Sequence, residues 1–327
     1  MVLELILNEY RQGILENQYY GNICVIQNEK IIFSIGNAFE MTSLRSTEKA
    51  VHVIPIIINN IDKEYGLTDD EIAILMSSHV ASKKNINSIV SLLSKSNINL
   101  DDIKCAESLP VNFFTMSMDI LKKKKLKHKE YNMCIGNHAS NILLCRYFDV
   151  CEHEYWNIDH RVNKIIIKFI KELSNTNDIK SSYDHCGMPC YFLPLYNLSL
   201  LYLNLNPNIY LKNSTSIALN KINKVFHKFS EYIDGEGTLS EILLRDENII
   251  CKAGSHGVFC FSLKKEQISV AIKMNGSHNE QVACVVYELL KKINYDNEEL
   301  FSSIERLITN NDEVPHGINI ISRRVLI

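Results

Sequence analysis

Residues 21–37 read GNICVIQNEKIIFSIGN, and residues 257–274 read GVFCFSLKKEQISVAIKM. In the first stretch apolar residues alternate weakly and break at Asn28 to Lys30, which is typical of two antiparallel strands joined by a turn. The second stretch predicts two half-buried strands, at 257–263 and 268–274. Because antiparallel strands that are distant in the sequence can join one sheet, these two hairpins predict a shared antiparallel sheet.

The long stretch between the hairpins has a helical pattern. From about residue 43 to residue 207, apolar residues recur at helical spacing in segments separated by short polar stretches. A helix over about 215–233 follows, and two more helices and a last strand follow the second hairpin. We therefore predict an α/β fold, an antiparallel sheet flanked by helices plus a mostly helical lobe. A single domain is expected over 1–327, with a sheet lobe at about 1–42 and 238–327 and a helical lobe at about 43–237.

Composition indicates a globular protein. Hydrophobic residues make up 46% of the 327 residues, and 35 Lys and Arg against 38 Asp and Glu give a net charge of −3, which excludes a disordered chain and disfavours a nucleic-acid partner. The dense basic run Lys122 to Lys125, with Lys127, is read as a solvated face, and we assign it no function.

Neither a membrane nor an export signal is indicated. The longest apolar run, Val53 to Ile58, is far shorter than the roughly 20 residues that cross a bilayer. Glu4, Glu9 and Glu16 interrupt the N-terminal apolar residues, unlike the apolar core of a signal peptide. Ten cysteines are too few for a disulfide-stapled domain and are read as reduced thiols, packing residues or metal ligands. We expect a cytoplasmic protein.

Ser46 and Lys49 form a Ser-x-x-Lys motif at the start of a predicted helix. The i, i+3 spacing places both side chains on one helical face, where a lysine of lowered pKa can take the proton of the serine. The motif alone is weak, since Ser262 to Lys265 repeats it in a strand-end context where it is accidental.

Two further residues give the motif a context. Ser78 lies in the predicted helical lobe, and Lys273 lies on a predicted strand ahead of Gly276. A Ser-x-x-Lys, a serine of the helical lobe and a strand lysine near glycine form the layout of penicillin-recognising enzymes. Ser46, Lys49, Ser78 and Lys273 are therefore the predicted catalytic quartet.

The chain resembles the Rhizobium etli type of L-asparaginase, the asparaginase II family, over about residues 10–283. The resemblance implies a serine β-lactamase-like fold, a homodimer, and hydrolysis of the side-chain amide of asparagine by two Ser-Lys pairs. These pairs are implied to be Ser46 with Lys49 and Ser78 with Lys273. The segments that carry the resemblance are Arg45 to Lys49, Ser78-His79, Cys134 to Ala139, Asp159-His160, Asp184 to Pro189 and Ala271 to Lys273.

The same resemblance places Arg45, His138 and Asp184 at substrate-binding positions. It also implies a zinc ion beside the substrate, held by two cysteines and a lysine. The cysteines are present as Cys134 and Cys186, but Asn137 occupies the place of the lysine. Since Asn is a poor zinc ligand, His185 or His138 is the expected replacement, and plain packing of the two thiols is the alternative.

Other departures lie around the expected pocket. His185 replaces a glycine of the family, Asn275 an aspartate, Tyr20 a histidine, and Arg161 a proline. A site built around the charged groups of an amino acid is sensitive to such changes, because unpaired buried charges are costly. Amide chemistry is therefore a firmer expectation than asparagine as the substrate.

The function predicted from the sequence is hydrolysis of L-asparagine to L-aspartate and ammonia. The alternatives are a divergent amidase or acyltransferase that acts on another amide-bearing metabolite, and an amino-acid-binding protein that has lost activity. We expect no organic cofactor, no nucleic-acid partner and no membrane partner. Which of Ser46 and Ser78 attacks the substrate is left open, since each has a proposed lysine partner.

Overall fold

The two predicted hairpins join one sheet. In the computed structural model, which describes residues 3–209, 213–309 and 321–327, the strand at Ile14–Gln27 pairs antiparallel with the strand at Ile268–Met274, and Ile23 lies opposite Ile272. The shared antiparallel sheet is thus confirmed. The first hairpin is longer than predicted, because its first strand begins at Ile14 and not at residue 21.

Seven strands form this sheet, and the described parts of the chain contain a second, three-stranded one. The large sheet has the order β10-β1-β2-β9-β8-β7, with β3 also on β2, and the small sheet has the order β4-β6-β5. The small sheet lies within the stretch predicted to be mostly helical. The strands are β1 (Glu4–Arg11), β2 (Ile14–Gln27), β3 (Lys30–Ile35), β4 (Met41–Ser43), β5 (Lys180–Tyr183), β6 (Pro189–Pro194), β7 (Ile249–Gly254), β8 (Val258–Leu263), β9 (Ile268–Met274) and β10 (Ile321–Val325).

Helices account for most of the stretch between the hairpins, as predicted, and follow the second hairpin as well. They are α1 (Lys49–Ile58), α2 (Ile61–Glu64), α3 (Asp69–Met76), α4 (Lys83–Lys95), α5 (Phe113–Leu121), α6 (Ile135–Tyr147), α7 (Arg161–Ser174), α8 (Leu195–Asn204), α9 (Asn213–Lys228), α10 (Ser230–Ile233), α11 (Leu239–Leu244), α12 (Asn279–Lys292) and α13 (Glu298–Thr309). No helix within the described residues has the length and apolar character needed to cross a membrane.

The sheet is buried on both faces at its centre. Every residue of β8 is buried, and α8 packs over β9, β2 and β8. Strands covered on both sides lose the alternation of apolar and polar residues, which explains why VFCFSL at 258–263 is nearly continuous in apolar residues. The expected fold class, an antiparallel sheet flanked by helices with a helical block, is confirmed.

Close packing between α3 and α6 brings two parts of the helical block together. Gly136 lies where a Cβ atom would overlap the carbonyl oxygen of Ile74. A glycine is therefore required in the first turn of α6, because any side chain would force the helices apart. This contact sets the start of α6, and with it Cys134, against the end of α3, which leads into Ser77 and Ser78.

Candidate active site

Ser46 lies in a short 3-10 turn, Arg45–Glu48, that leads directly into α1. Arg45 has a φ of +51°, a left-handed conformation that is uncommon for a residue other than glycine. Such strain is often found at functional sites. Ser46 is 7% exposed and Lys49 is 2% exposed, so the Ser-x-x-Lys motif is nearly enclosed.

The amine of Lys49 is held by three acceptors from other parts of the chain. Its Nζ donates to the carbonyl oxygen of Ser77 at 2.7 Å and of Met133 at 3.1 Å, and to Oγ of Ser78 at 3.2 Å. Among the hydrogen bonds of the described residues, none joins this amine to Ser46. Of the two serines, Lys49 is therefore hydrogen-bonded to Ser78.

Ser78 contacts a second lysine that the sequence analysis missed. The Nζ of Lys252 on β7 lies 2.9 Å from Oγ of Ser78. Lys252 is 1% exposed, and its amine also forms an ion pair with Asp234. Ser78 thus lies between two buried lysine amines.

The predicted pairing of Ser78 with Lys273 is wrong in its geometry. Lys273 lies on β9, with β8 between it and β7, and its amine donates to the carbonyl oxygen of His256. The signal that identifies the correct lysine is Lys252-Ala253-Gly254, a closer match to the Lys-Thr-Gly of penicillin-recognising enzymes.

Burial and neighbouring charges set the protonation of Lys252. Burial lowers the pKa of this amine, the carboxylate of Asp234 raises it, and the charge of Lys49 lowers it again, so that the net direction is downward. The arrangement therefore favours loss of a proton from Lys252 below the usual range of lysine.

A glycine allows β7 to lie against the turn that carries Ser46. A Cβ atom on Gly254 would lie 3.1 Å from Cβ of Arg45 and 3.2 Å from the carbonyl oxygen of Leu44. Such distances are tighter than ordinary van der Waals contact, so a side chain here would push the edge strand away from the turn. Gly254 thus keeps Lys252 close to the Ser-x-x-Lys motif.

Arg45 and Asp184, two of the predicted substrate-binding residues, meet at the mouth of the site. Nη2 of Arg45 lies 3.1 Å from Oδ1 of Asp184, and both side chains are largely buried. Nε of Arg45 is buried without a hydrogen-bond partner. One donor of the guanidinium is therefore left unsatisfied in the interior of the protein.

His185 and His138 lie in different surroundings from those predicted. The ring of His185 is 85% exposed, its Nδ1 lies 3.4 Å from Nη2 of Arg45, and it stacks on His256 at 6.1 Å. Nδ1 of His138 is 2.6 Å from the hydroxyl of Tyr155 in the interior, and His138 does not line the cavities described below. His138 was predicted to bind substrate, but its side chain is fully buried and lines neither cavity.

Cys134 and Cys186 are neighbours, as the resemblance implies. A hydrogen bond with Cys186 lowers the pKa of Cys134 to about 6, against the opposing effect of burial, and raises that of Cys186. However, the described residues contain no group of three or more His, Cys, Asp or Glu side chains arranged to hold a metal ion. Neither His138 nor His185 completes the cysteine pair, so these donors do not fit a tetrahedral zinc site.

Glu48 is a buried acid within the motif that sequence reasoning did not single out. It is 4% exposed, and its Oε2 has no hydrogen-bond partner. Burial raises its pKa well above the usual value, and the charge of Asp184 adds to this. Nε2 of His52 lies 3.9 Å from Oε1 of Glu48. Burial and the charge of Asp184 therefore both disfavour the charged form of Glu48.

Two cavities meet at Ser46. The wider one, about 480 Å³, is lined by Arg45, Asp184 and His185, and we call it the charged lobe. The narrower one, about 210 Å³, is lined by Ser46, Ser78 and both apolar and polar side chains, Asp234 among the latter; we call it the apolar lobe because most of its lining surface is apolar. Ser46 lines both lobes and therefore lies at their junction.

The chain matches the family model described as L-asparaginase II over residues 7–319. A serine-lysine site at the edge of a sheet, combined with a match over nearly the whole chain, defines the class: it is an asparaginase-like amidohydrolase. The chain belongs to the L-asparaginase II family. None of the curated protein sequences matches it significantly.

Several solved structures are similar in fold. A class C β-lactamase from Rhodobacter sphaeroides is 11% identical, with a TM-score of 0.43 over 84% of this chain and 95% of that one. A β-lactamase from Mycobacterium bovis is 9% identical, with a TM-score of 0.42 over 83% and 94%. A β-lactamase/D-alanine carboxypeptidase from Pseudomonas syringae is 10% identical, with a TM-score of 0.38 over 90% and 94%.

Proposed function

We propose that this protein hydrolyses the side-chain amide of L-asparagine to L-aspartate and ammonia by a serine-lysine mechanism. The observation that carries the proposal is the position of Ser78 Oγ, which lies 3.2 Å from the amine of Lys49 and 2.9 Å from that of Lys252. A hydroxyl between two buried amines can pass a proton in either direction.

The adjacent Ser46 is the proposed nucleophile. It lies at the junction of the two lobes, in the 3-10 turn that leads into α1. Lys49 is its proposed base, and Ser78 exchanges the proton with Lys49, Lys252 and the leaving nitrogen. Ser46 Oγ bonds to the amide carbon, ammonia leaves, and water then cleaves the ester.

Arg45 and Asp184 are the proposed partners of the two charged groups of an amino acid. The guanidinium of Arg45, which lines the charged lobe, suits an α-carboxylate, and the carboxylate of Asp184, which also lines it, suits an α-ammonium. Separating a buried ion pair to bind two opposite charges keeps every charge paired, which limits the desolvation cost.

The direct test is ammonia release from L-asparagine, L-glutamine and simple amides by the purified protein. We expect asparagine to be hydrolysed and Ser46→Ala to reduce kcat by at least about a thousandfold, since loss of the nucleophile removes the covalent route. A folded Ser46→Ala protein that retains near wild-type kcat contradicts the nucleophile assignment. Absence of ammonia release from every amide contradicts the proposed function.

A further inference from the structure

The apolar lobe has a size and lining that ammonia does not require. Its volume is about 210 Å³, whereas a water molecule, which is similar in size to ammonia, takes about 30 Å³ in the liquid. Beyond the two serines, its lining combines apolar residues, which include Val80, Leu239 and Phe259, with polar ones such as Asp234 and Thr238, and most of the lining surface is apolar. Such a lining favours an aliphatic or aromatic group.

The direction of the substrate follows from the position of the charged lobe. An amide carbonyl at Ser46 has an acyl substituent on one side and its nitrogen on the other. If Arg45 and Asp184 hold the acyl part, the nitrogen lies toward Ser78, the residue between the two lysine amines. Ser78 also lines the apolar lobe, so a substituent on this nitrogen extends into that lobe.

We propose that the apolar lobe is a leaving-group subsite and that the substrates include secondary amides with an alkyl or aryl group on the amide nitrogen. The inference rests on the proposed amidohydrolase function and adds to it. Ser46 Oγ bonds to the carbonyl carbon, the C–N bond breaks, and the nitrogen takes a proton by way of Ser78 to leave as a primary amine. Water then hydrolyses the ester, so that one amide and one water give one acid and one amine.

The experiment compares L-asparagine with its N-methyl, N-propyl and N-butyl side-chain amides by measuring the release of ammonia or amine. If the alkyl chain is buried in the lobe, kcat/KM rises with chain length by about fourfold for each methylene group. The slope over the series, rather than the rate with any one amide, is the diagnostic quantity, because intrinsic amide reactivity changes little between N-propyl and N-butyl.

A matched pair of variants tests whether the rise of kcat/KM with alkyl chain length arises in the apolar lobe. Val80 lines the apolar lobe and not the charged lobe, whereas Leu109 lines the charged lobe and not the apolar lobe. Val80→Asp should lower the ratio of kcat/KM for the N-butyl amide to that for asparagine by at least about tenfold, since a carboxylate beside an alkyl chain is poorly solvated. Leu109→Asp should leave this ratio within about twofold of wild type. Thermal melts followed by circular dichroism confirm that both variants fold.

Each remaining outcome is decisive. Hydrolysis of asparagine with kcat/KM that is flat or falls along the series overturns the subsite and leaves the amidohydrolase function standing. A rising slope that both variants retain, or both lose equally, overturns the assignment to this lobe. Failure to hydrolyse any of the four amides overturns the proposed function and this inference with it.

Discussion

The Nζ atom of Lys252 lies 2.9 Å from Oγ of Ser78, and it is also paired with the carboxylate of Asp234. Because an edge strand carries Lys252 and the end of α3 leads into Ser78, this contact joins the sheet to the helical block at the site. Lys252 is therefore part of the packing between the two parts of the fold as well as the proposed proton carrier.

Substitution of each strand lysine by methionine separates their roles. Lys252→Met should reduce kcat for asparagine by at least about a hundredfold, the lower range of general acid-base contributions, because Ser78 loses one of its two amine partners. Lys273→Met should reduce kcat by less than about fivefold, since its amine contacts the carbonyl oxygen of His256 instead. Steady-state kinetics of the two variants measure this, and a larger loss for Lys273→Met contradicts the assignment.

The contrast between these lysines shows what the sequence can predict. Ser46 and Lys49 were found because helical spacing fixes which side chains share a face over one turn. The partner of Ser78 depends on strand order, and Lys252 and Lys273 lie two strands apart in the same sheet. Both precede a glycine, and although Lys252-Ala253-Gly254 has the closer spacing, only the strand order shows which lysine reaches Ser78.

Burial was the other property that the sequence did not predict. The raised pKa of Glu48 and the enclosed position of His138 both follow from packing among helices that are far apart in the chain. The hairpins and the fold class, in contrast, follow from periodicity that each segment carries by itself.

The pH dependence of activity should follow Lys252. Burial and the charge of Lys49 lower the pKa of Lys252, whereas Asp234 raises it. We expect kcat/KM to rise with pH and to level below about 10.4, the usual pKa of lysine. Asp234→Asn removes the carboxylate that stabilises the ammonium of Lys252, so the rise should move to lower pH. A profile that is flat between about pH 6 and 10, or a shift to higher pH in Asp234→Asn, contradicts the proposed role of Lys252.

Zinc content tests the donor set around the cysteine pair. Since no third His, Cys, Asp or Glu among the described residues joins Cys134 and Cys186, we expect well under one zinc per chain in protein purified without chelator. Elemental analysis of wild type and Cys186→Ser should give equal values. Stoichiometric zinc that is lost in Cys186→Ser would establish the site that the resemblance implies, with a ligand other than His138 or His185.

An apolar face on α5 is the proposed contact of the homodimer that the resemblance implies. Phe113, Phe114, Ile120 and Leu121 are 81%, 66%, 55% and 76% exposed. Their spacing places them on one side of the helix. Leu109, Val111 and Leu126 are also exposed. At about 150–250 Å² for a fully exposed large side chain, the seven residues together expose on the order of 800 Å² of surface. This area matches one side of a standard protein–protein interface. A second copy of the chain is the proposed occupant.

Light scattering after size-exclusion chromatography measures the assembly. Wild type should have the mass of two chains, and Phe114→Asp should have that of one. Ile217→Asp is the control, because Ile217 is also 68% exposed but lies on α9. A monomeric wild type, or a dimer that persists in Phe114→Asp, contradicts the contact. Binding of wild type to anionic lipid vesicles, with a monomer in solution, would assign the face and the adjoining lysines to a membrane surface instead.

Glu48→Gln should stabilise the folded protein at neutral pH. Because the pKa of Glu48 is raised in the folded state, the folded chain keeps a proton that the unfolded chain releases above its ordinary pKa of about 4.3. The free energy of unfolding therefore falls as pH rises from that value toward the raised pKa, and glutamine removes this loss. Thermal unfolding should show a Tm increase of at least about 2 °C at neutral pH and almost none at about pH 4.

Glu71→Gln is a control for which the expected change in Tm at neutral pH has the opposite sign. Glu71 is also buried, but although burial raises its pKa, hydrogen bonds from Ser91, Lys95 and Thr68 lower it overall. Its charged form thus stabilises the fold above its unfolded pKa, and this stabilisation is lost as pH falls through the lowered value. Glu71→Gln should therefore lower Tm at neutral pH, and the difference should shrink toward acid pH. If both variants change Tm by the same sign and amount at every pH, titration of Glu48 has no part in the stability of this site.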